Sequence, residues 1–123
     1  MRVFELSKRF PVEERYSLTD QFRRASRSVA SNIAEAWRKR RYPAAFVSKL
    51  NDAEGEAAES QTCTGLALRC GYLSASEAKE LDGSYERILA QFVCMIHQPD
   101  DWTVGANRSR RVPASPRPRV NLQ

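Results

Sequence analysis

Basic side chains form two clusters in this sequence, and their spacing gives the clearest indication of chemistry. The first cluster lies on a predicted helix and its following loop and consists of Arg23, Arg27, Arg38, Lys39, Arg40 and Arg41. The second lies near the C-terminus and consists of Arg108, Arg110, Arg111, Arg117 and Arg119. Such clusters contact phosphates without reading base sequence, and the neighbouring rings of Trp37 and Tyr42 offer surfaces on which exposed bases stack. The alternative is that the arginines only maintain solubility and that Trp37 belongs to the core or to a subunit interface.

The distribution of charge favours an anionic partner. Residues 1–101 contain fifteen basic and fifteen acidic side chains, so residues 102–123 carry the whole net charge of +5. Within the balanced part, residues 15–49 hold nine Lys or Arg side chains and only two acidic ones. This asymmetry is typical of proteins that bind a polyanion or an acidic protein surface, although a solvated helix face and a soluble tail explain the charges as well.

A second candidate site is polar. Asn32 falls on the edge of an apolar helical stripe, one turn before Glu35. We predict a network of polar side chains formed by Arg24, Asn32, Glu35 and Glu59. A buried Asn costs stability unless it is paired, but it can fix the register and the oligomeric state. We interpret the network as a structural element of the bundle or of a subunit interface, with a binding or catalytic pocket as the alternative.

The sequence lacks the spacing patterns of catalytic and metal sites. Cys63 and Cys70 are seven residues apart, and His97 is the only histidine, whereas zinc-binding cysteine pairs are about two to four residues apart. Buried thiols are therefore expected, and His97 is expected to meet a helix dipole. With no Gly-rich loop or serine elbow, we predict no enzymatic activity, metal or cofactor. Three cysteines, no signal peptide and no long apolar run favour a cytoplasmic protein without a membrane span.

Apolar residues that recur every three or four positions predict four helices. Their expected extents are residues 2–9, the segment from Leu18 to the loop at residues 40–43, residues 44–70, and the segment from a Ser74–Glu77 capping box to Pro99. Gly71 is expected to end the third helix in the left-handed conformation. Small inward residues of that helix predict a close helix crossing, which would account for Gly55. The sequence thus predicts an all-α, antiparallel up-and-down four-helix bundle with a shortened first helix over residues 1–99, followed by a disordered Arg/Pro-rich basic tail over residues 100–123.

Several short motifs resemble those of one known family. The matching residues are Phe10, Pro11, Glu14, Arg15, Leu18, Gln21, Arg24, Ala25, Asn32, Ile33, Ala34, Glu35, Ala53, Gly55, Glu59, Gly71, Tyr72 and Leu73. On these residues the chain resembles the bacterial four-helix-bundle proteins encoded by intervening sequences of large-subunit ribosomal RNA genes. The sequence departs from the family pattern at Ala36 and Glu56 and at Cys70. Its predicted first helix is also shorter than is usual in the family, and the basic tail is an addition.

The resemblance implies a helical bundle that assembles as a ring, often a pentamer, without catalytic activity. More distant relatives act as accessory proteins of diversity-generating retroelements, where a basic ring binds a reverse transcriptase and nucleic acid. The expected function is therefore a non-enzymatic homo-oligomer that binds RNA or a ribonucleoprotein through a basic surface. The alternative is a protein-binding scaffold or accessory subunit, for example of a polymerase, whose contact with RNA or DNA is incidental. If Met1 is the true start, the short first helix would leave apolar surface uncovered, which also predicts an oligomer. A start further upstream is the alternative explanation of the short helix.

Overall fold

The computed structural model describes residues 2–103, which form four helices joined by short connections. Helix α1 spans Arg2–Ser7, α2 spans Leu18–Arg38, α3 spans Pro43–Arg69 and α4 spans Ala75–His97, with 3-10 turns at Val12–Glu14 and Pro99–Asp101. Residues 2–103 contain no β-strand. The predicted all-α bundle with a short first helix is therefore confirmed.

Helix α3 is the centre of the bundle and packs against both α2 and α4. Gln21 of α2 donates a hydrogen bond to Glu59 of α3 over 3.2 Å, and Gln61 of α3 donates one to Glu86 of α4 over 2.8 Å. In each pair the two residues are separated from the loop that joins their helices by a similar number of residues. This pairing is what two consecutive antiparallel helices produce.

Helix α1 is too short to be stable alone and depends on its contacts with the rest of the bundle. Its Val3 and Leu6 are buried together with Phe22 of α2 and Leu81 of α4. Ion pairs tie the N-terminal segment to α4, because Arg2 contacts Glu80 at 3.3 Å and Arg9 contacts Glu77 at 2.7 Å. These contacts place α1 over the beginnings of α2 and α4.

The ends of α3 and α4 have the predicted caps. Gly71 has a φ of 79°, and the N–H groups of Gly71 and Tyr72 bond to the carbonyls of Leu68 and Ala67, which is the Schellman pattern. At the start of α4, the Ser74 hydroxyl accepts from the Glu77 N–H over 3.0 Å, and the Glu77 carboxylate accepts from the Ser74 N–H over 2.9 Å. Both helix ends are thus set by local sequence.

The Glu77 carboxylate makes the stability of the protein depend on pH in the acidic range. Hydrogen bonds from Arg9 and from the Ser74 N–H lower the pKa of Glu77 from 4.5 to about 2. A carboxyl with a lowered folded-state pKa contributes stability above its unfolded pKa, and that contribution is lost as the pH falls towards the folded value. We expect the free energy of unfolding of the wild type to exceed that of Glu77→Gln at neutral pH, and the difference to shrink between pH 4.5 and about 2. Urea unfolding of both proteins across this pH range measures the difference in unfolding free energy. A difference that stays constant with pH would contradict the prediction.

Small residues of α3 fill the centre of the bundle. Ala53, Ala57 and Ser60 are fully buried, and the Ser60 hydroxyl donates to the Glu56 carbonyl over 3.0 Å, so its burial leaves no unpaired hydroxyl. Gly55 lies on the opposite, exposed face, and a Cβ placed there would meet no atom within 4 Å. A close crossing within the chain therefore does not account for Gly55.

The described chain continues in contact with the core beyond the predicted boundary at residue 99. Pro99–Asp101 forms a 3-10 turn that contacts α3 and α4. Trp102 packs against a cluster of buried residues that includes Phe46, Leu50 and Phe92. The greater part of the predicted basic tail, residues 104–123, lies outside the described residues.

Candidate nucleic-acid interface

The end of α2 and the start of α3 bring four basic residues and an aromatic ring together. The Lys39 N–H closes the last turn of α2 by bonding to the carbonyls of Glu35 and Ala36. The Tyr42 N–H then bonds to the Lys39 carbonyl, and the Tyr42 carbonyl accepts from Phe46 in the first turn of α3, both over 2.9 Å. These bonds fix the connection between the helices. We call residues 38–41 the basic end of α2.

None of the four side chains of the basic end forms an ion pair within residues 2–103. Elsewhere in this range, Arg2, Lys8, Arg9, Arg24 and Lys49 each contact a carboxylate. Arg38 and Arg41 are exposed, and Lys39 and Arg40 are partly exposed. Their positive charge complements the negative pole at the C-terminus of α2, which is a purely structural benefit. Four adjacent charges exceed what that pole can compensate, so the surface remains positive.

The guanidinium of Arg40 lies over the ring of Trp37. Its Cζ is 3.9 Å from the indole centroid, and its Nε donates a hydrogen bond to the Trp37 carbonyl over 2.8 Å. Trp37 is half-buried and is not a member of either cluster of buried residues. This contact was not predicted, although an aromatic residue and an arginine three positions apart at a helix end are a signal for it.

Arg23 and Arg27 have different surroundings although both are on α2. The Nε of Arg23 donates to the Ser7 hydroxyl over 2.7 Å, and its Cζ lies 4.5 Å from the Phe4 centroid. Arg23 therefore holds α1 against α2 and lies apart from the basic end. Arg27 is exposed and lies three helical turns before Arg38, about 16 Å along the same side of α2. Arg27 thus extends the basic surface along the helix.

The four residues of the predicted polar network are not joined to one another by hydrogen bonds within residues 2–103. Arg24 pairs with Asp20 of its own helix at 3.2 Å, and the Asn32 amide donates to the Ser28 carbonyl over 3.0 Å. Glu59 accepts instead from Gln21. Glu35 is half-buried and makes no side-chain hydrogen bond within this range. Arg24 and Asn32 thus pair within α2, whereas Glu59 pairs across to α2 through Gln21. The part of the prediction that concerns a subunit interface stays a prediction.

The network that the structure does contain is centred on Glu14. Its carboxylate accepts hydrogen bonds from the Ser17 hydroxyl, the Leu18 N–H and the Tyr72 hydroxyl, at 2.7, 3.3 and 2.8 Å. These bonds lower the pKa of Glu14 and raise the pKa of Tyr72 to about 12. They tie the start of α2 to the α3–α4 connection. Glu14 and Tyr72 both belong to the family motifs, but a contact between them was not predicted.

The cysteines differ in burial. Cys63 is fully buried, and burial, with a smaller effect of the Glu59 charge, raises its pKa to about 11. The expectation of a buried thiol is wrong for Cys70, which is exposed, as is Cys94. Cys70 is the C-cap residue of α3, beyond the last buried turn. Among residues 2–103, no group of three His, Cys, Asp or Glu side chains is placed to hold a metal ion. Arg108, Arg110 and Arg111 lie outside the described residues.

Comparisons with known proteins agree with this architecture. A crystal structure at 1.70 Å resolution of a protein of unknown function from the S23 ribosomal protein family of Bacteroides thetaiotaomicron VPI-5482 matches with a TM-score of 0.70. The two proteins are 26% identical, and the match covers 77% of this chain and 88% of the other. No curated protein matches the sequence. None of the helices between residues 2 and 103 is long and apolar enough to span a membrane. Residues 1–93 match the family described as 23S rRNA-intervening sequence protein, and the chain therefore belongs to that family.

Proposed function

We propose that this protein is a non-enzymatic, homo-oligomeric helical bundle that binds RNA or a ribonucleoprotein through the basic end of α2. One observation carries the proposal: four consecutive basic side chains, without carboxylate partners in the described chain, adjoin the exposed ring of Tyr42. Arg27 extends the surface, whereas Arg23 is engaged with α1.

The proposed mechanism is neutralisation of phosphate charge. Each arginine or lysine that contacts a phosphate releases condensed counterions from the nucleic acid, and this release provides most of the affinity. A homo-oligomer repeats the basic end in every subunit, and several weak contacts on one RNA then combine into a tight one. The ring-shaped assembly suggested by the family resemblance would present these repeats along a continuous path.

Apolar side chains on the outer surface support the oligomer. Leu66 and Leu68 of α3 and Val93 of α4 are each at least 40% exposed. Ile88 and Leu89 of α4 are only half-buried against the core. Apolar surface of this kind is commonly covered by another subunit. A monomer in light scattering over a wide range of protein concentration would overturn this part of the proposal.

The salt dependence of RNA binding tests the mechanism. We expect a fluorescently labelled, unstructured RNA to bind at about 50 mM salt and to lose affinity steeply towards about 200 mM. With about 0.7 counterions released per phosphate contact on a single strand, the four basic side chains contribute roughly −3 to the slope of log affinity against log salt for each subunit that contacts the RNA. Fluorescence anisotropy measures the slope. A slope near zero, or no binding at low salt, would contradict the proposal.

The same basic end also fits an acidic protein surface, and this is the second candidate function. In that case RNA contact would be incidental, and the protein would act as a scaffold or as an accessory subunit of a polymerase. A pull-down with and without nuclease treatment separates the two. A specific protein partner that survives nuclease favours the scaffold, whereas loss of all partners on nuclease treatment favours RNA binding.

A further inference from the structure

Two flat side chains lie at the basic end. Tyr42 is 64% exposed and follows Arg41 directly. Arg40 is partly exposed, and its guanidinium lies over the Trp37 ring. From this arrangement we propose that the basic end of α2 recognises single-stranded nucleic acid, with bases stacked on the Tyr42 ring and on the open face of the Arg40 guanidinium. This inference rests on the proposed function and adds the strandedness of the ligand.

Tyr42 is built as a rigid platform. Its N–H and its carbonyl are both hydrogen-bonded, to Lys39 and to Phe46, so the backbone beneath the ring is fixed at the start of α3. The residue caps α3 only through its backbone, because its side chain makes no cap hydrogen bond. A tyrosine ring on a fixed backbone loses little conformational freedom when a base covers it. The ring itself contributes little to the core of this chain, since most of its surface is in water.

Arg40 provides a second flat surface in the same stretch of chain. Its hydrogen bond to the Trp37 carbonyl and its 3.9 Å approach to the indole hold the guanidinium in one orientation. Arginine planes stack on nucleic-acid bases as aromatic rings do, and they add charge. A base placed on Arg40 would extend the stack that already exists between Arg40 and Trp37.

A double helix cannot use these surfaces. Its bases are stacked on one another and their faces are covered, so a duplex would contact only the charges of the basic end. A single strand can contact the same charges and add stacking, and removal of one base–aromatic stack lowers affinity by roughly tenfold. The geometry therefore predicts a preference for single strands at equal salt, beyond the affinity that charge alone provides.

The experiment compares three ligands of one sequence: single-stranded RNA, single-stranded DNA and duplex RNA. We expect the single-stranded RNA to bind at least about tenfold more tightly than the duplex at the same salt, since one or both surfaces stack on bases. Equal or tighter binding of single-stranded DNA would support recognition of single strands in general, and weaker binding of that DNA would support single-stranded RNA in particular. Equal, salt-dependent binding of single-stranded and duplex RNA would overturn this inference but leave the proposed function intact. Absence of binding to all three would overturn both.

Variants of Tyr42 and Arg40 test whether these two residues cause the preference for single strands. Tyr42→Ala is expected to weaken single-strand binding by roughly tenfold and to leave duplex binding unchanged, whereas Tyr42→Phe keeps the ring and the affinity. Tyr16→Ala is the matched control, because Tyr16 is 86% exposed and follows Arg15 before the start of α2. Arg40→Lys keeps the charge but removes the plane, so it is expected to reduce the preference and retain the salt slope. A Tyr42→Ala protein that is folded by circular dichroism and keeps the full preference would overturn the assignment of Tyr42.

Discussion

Replacing Arg38, Lys39 and Arg41 together with glutamate is expected to lower RNA affinity by roughly a hundredfold or more at low salt. The substitution removes three positive charges and adds three negative ones on a short segment of the surface. Phosphate contacts are then lost and replaced by repulsion. Fluorescence anisotropy at about 50 mM salt, where electrostatic binding is strongest, is the appropriate measurement. Arg40 is left in place so that its contact with Trp37 is not disturbed.

A matched control separates the basic end from net charge. Arg69, Lys79 and Arg87 are exposed and form no ion pair within the described part of the chain. Their replacement with glutamate changes net charge by the same amount at other sites on α3 and α4. We expect this control to lose far less affinity than the first triple variant. Equal losses would show that total charge, and not the basic end, determines binding.

The folding of the first triple variant has to be measured beside its binding. Glutamate near the C-terminus of α2 meets the negative pole of the helix, at a cost of about 0.3–1 kcal/mol per residue. Urea unfolding of the variant and the control reveals this cost. A loss of affinity that remains at temperatures where both proteins are fully folded is due to the surface itself.

The elements of this fold were predictable because their signals are local. The Ser74–Glu77 capping box and the left-handed Gly71 each determine a helix end from a few neighbouring residues, and the structure has both. The apolar period that begins at Leu18 likewise placed the start of α2 correctly. Such signals depend on backbone hydrogen bonds and on residues within one helical turn, so a single sequence contains them.

The partners of polar side chains were not predictable in the same way. Arg23 contacts Ser7 of α1, and Glu59 accepts from Gln21 of α2. Each choice depends on how two helices are rotated against one another, which helical spacing alone does not determine. Long polar side chains also have several low-energy rotamers, and tertiary packing selects among them. The predicted network joined residues at helical spacing on α2 with Glu59 of α3, whereas in the structure Arg24 pairs with Asp20 and Glu59 pairs with Gln21.

Phe46 connects the core to the proposed interface, and Phe46→Ala is expected to destabilise the protein by about 3–5 kcal/mol. Phe46 is 0% exposed and packs in the cluster that contains Leu50, Phe92 and Met95. Truncation would leave a cavity among large apolar side chains that cannot collapse to fill it. Urea unfolding, repeated at several protein concentrations to account for assembly, measures the change. Phe46→Leu, which keeps most of the volume, should cost clearly less, and a cost below about 1 kcal/mol for Phe46→Ala would contradict the expectation.

The same variant tests whether the interface depends on charge or on geometry. The Phe46 N–H bonds to the Tyr42 carbonyl, so a loosened first turn of α3 releases the Tyr42 platform while the charges of the basic end remain. Under conditions where Phe46→Ala is still folded, we expect it to keep the salt-dependent affinity for duplex RNA and to lose much of the preference for single strands. If it lost both while folded, phosphate binding would also require an ordered start of α3. If it lost neither, the Tyr42 ring would not need the support of the core.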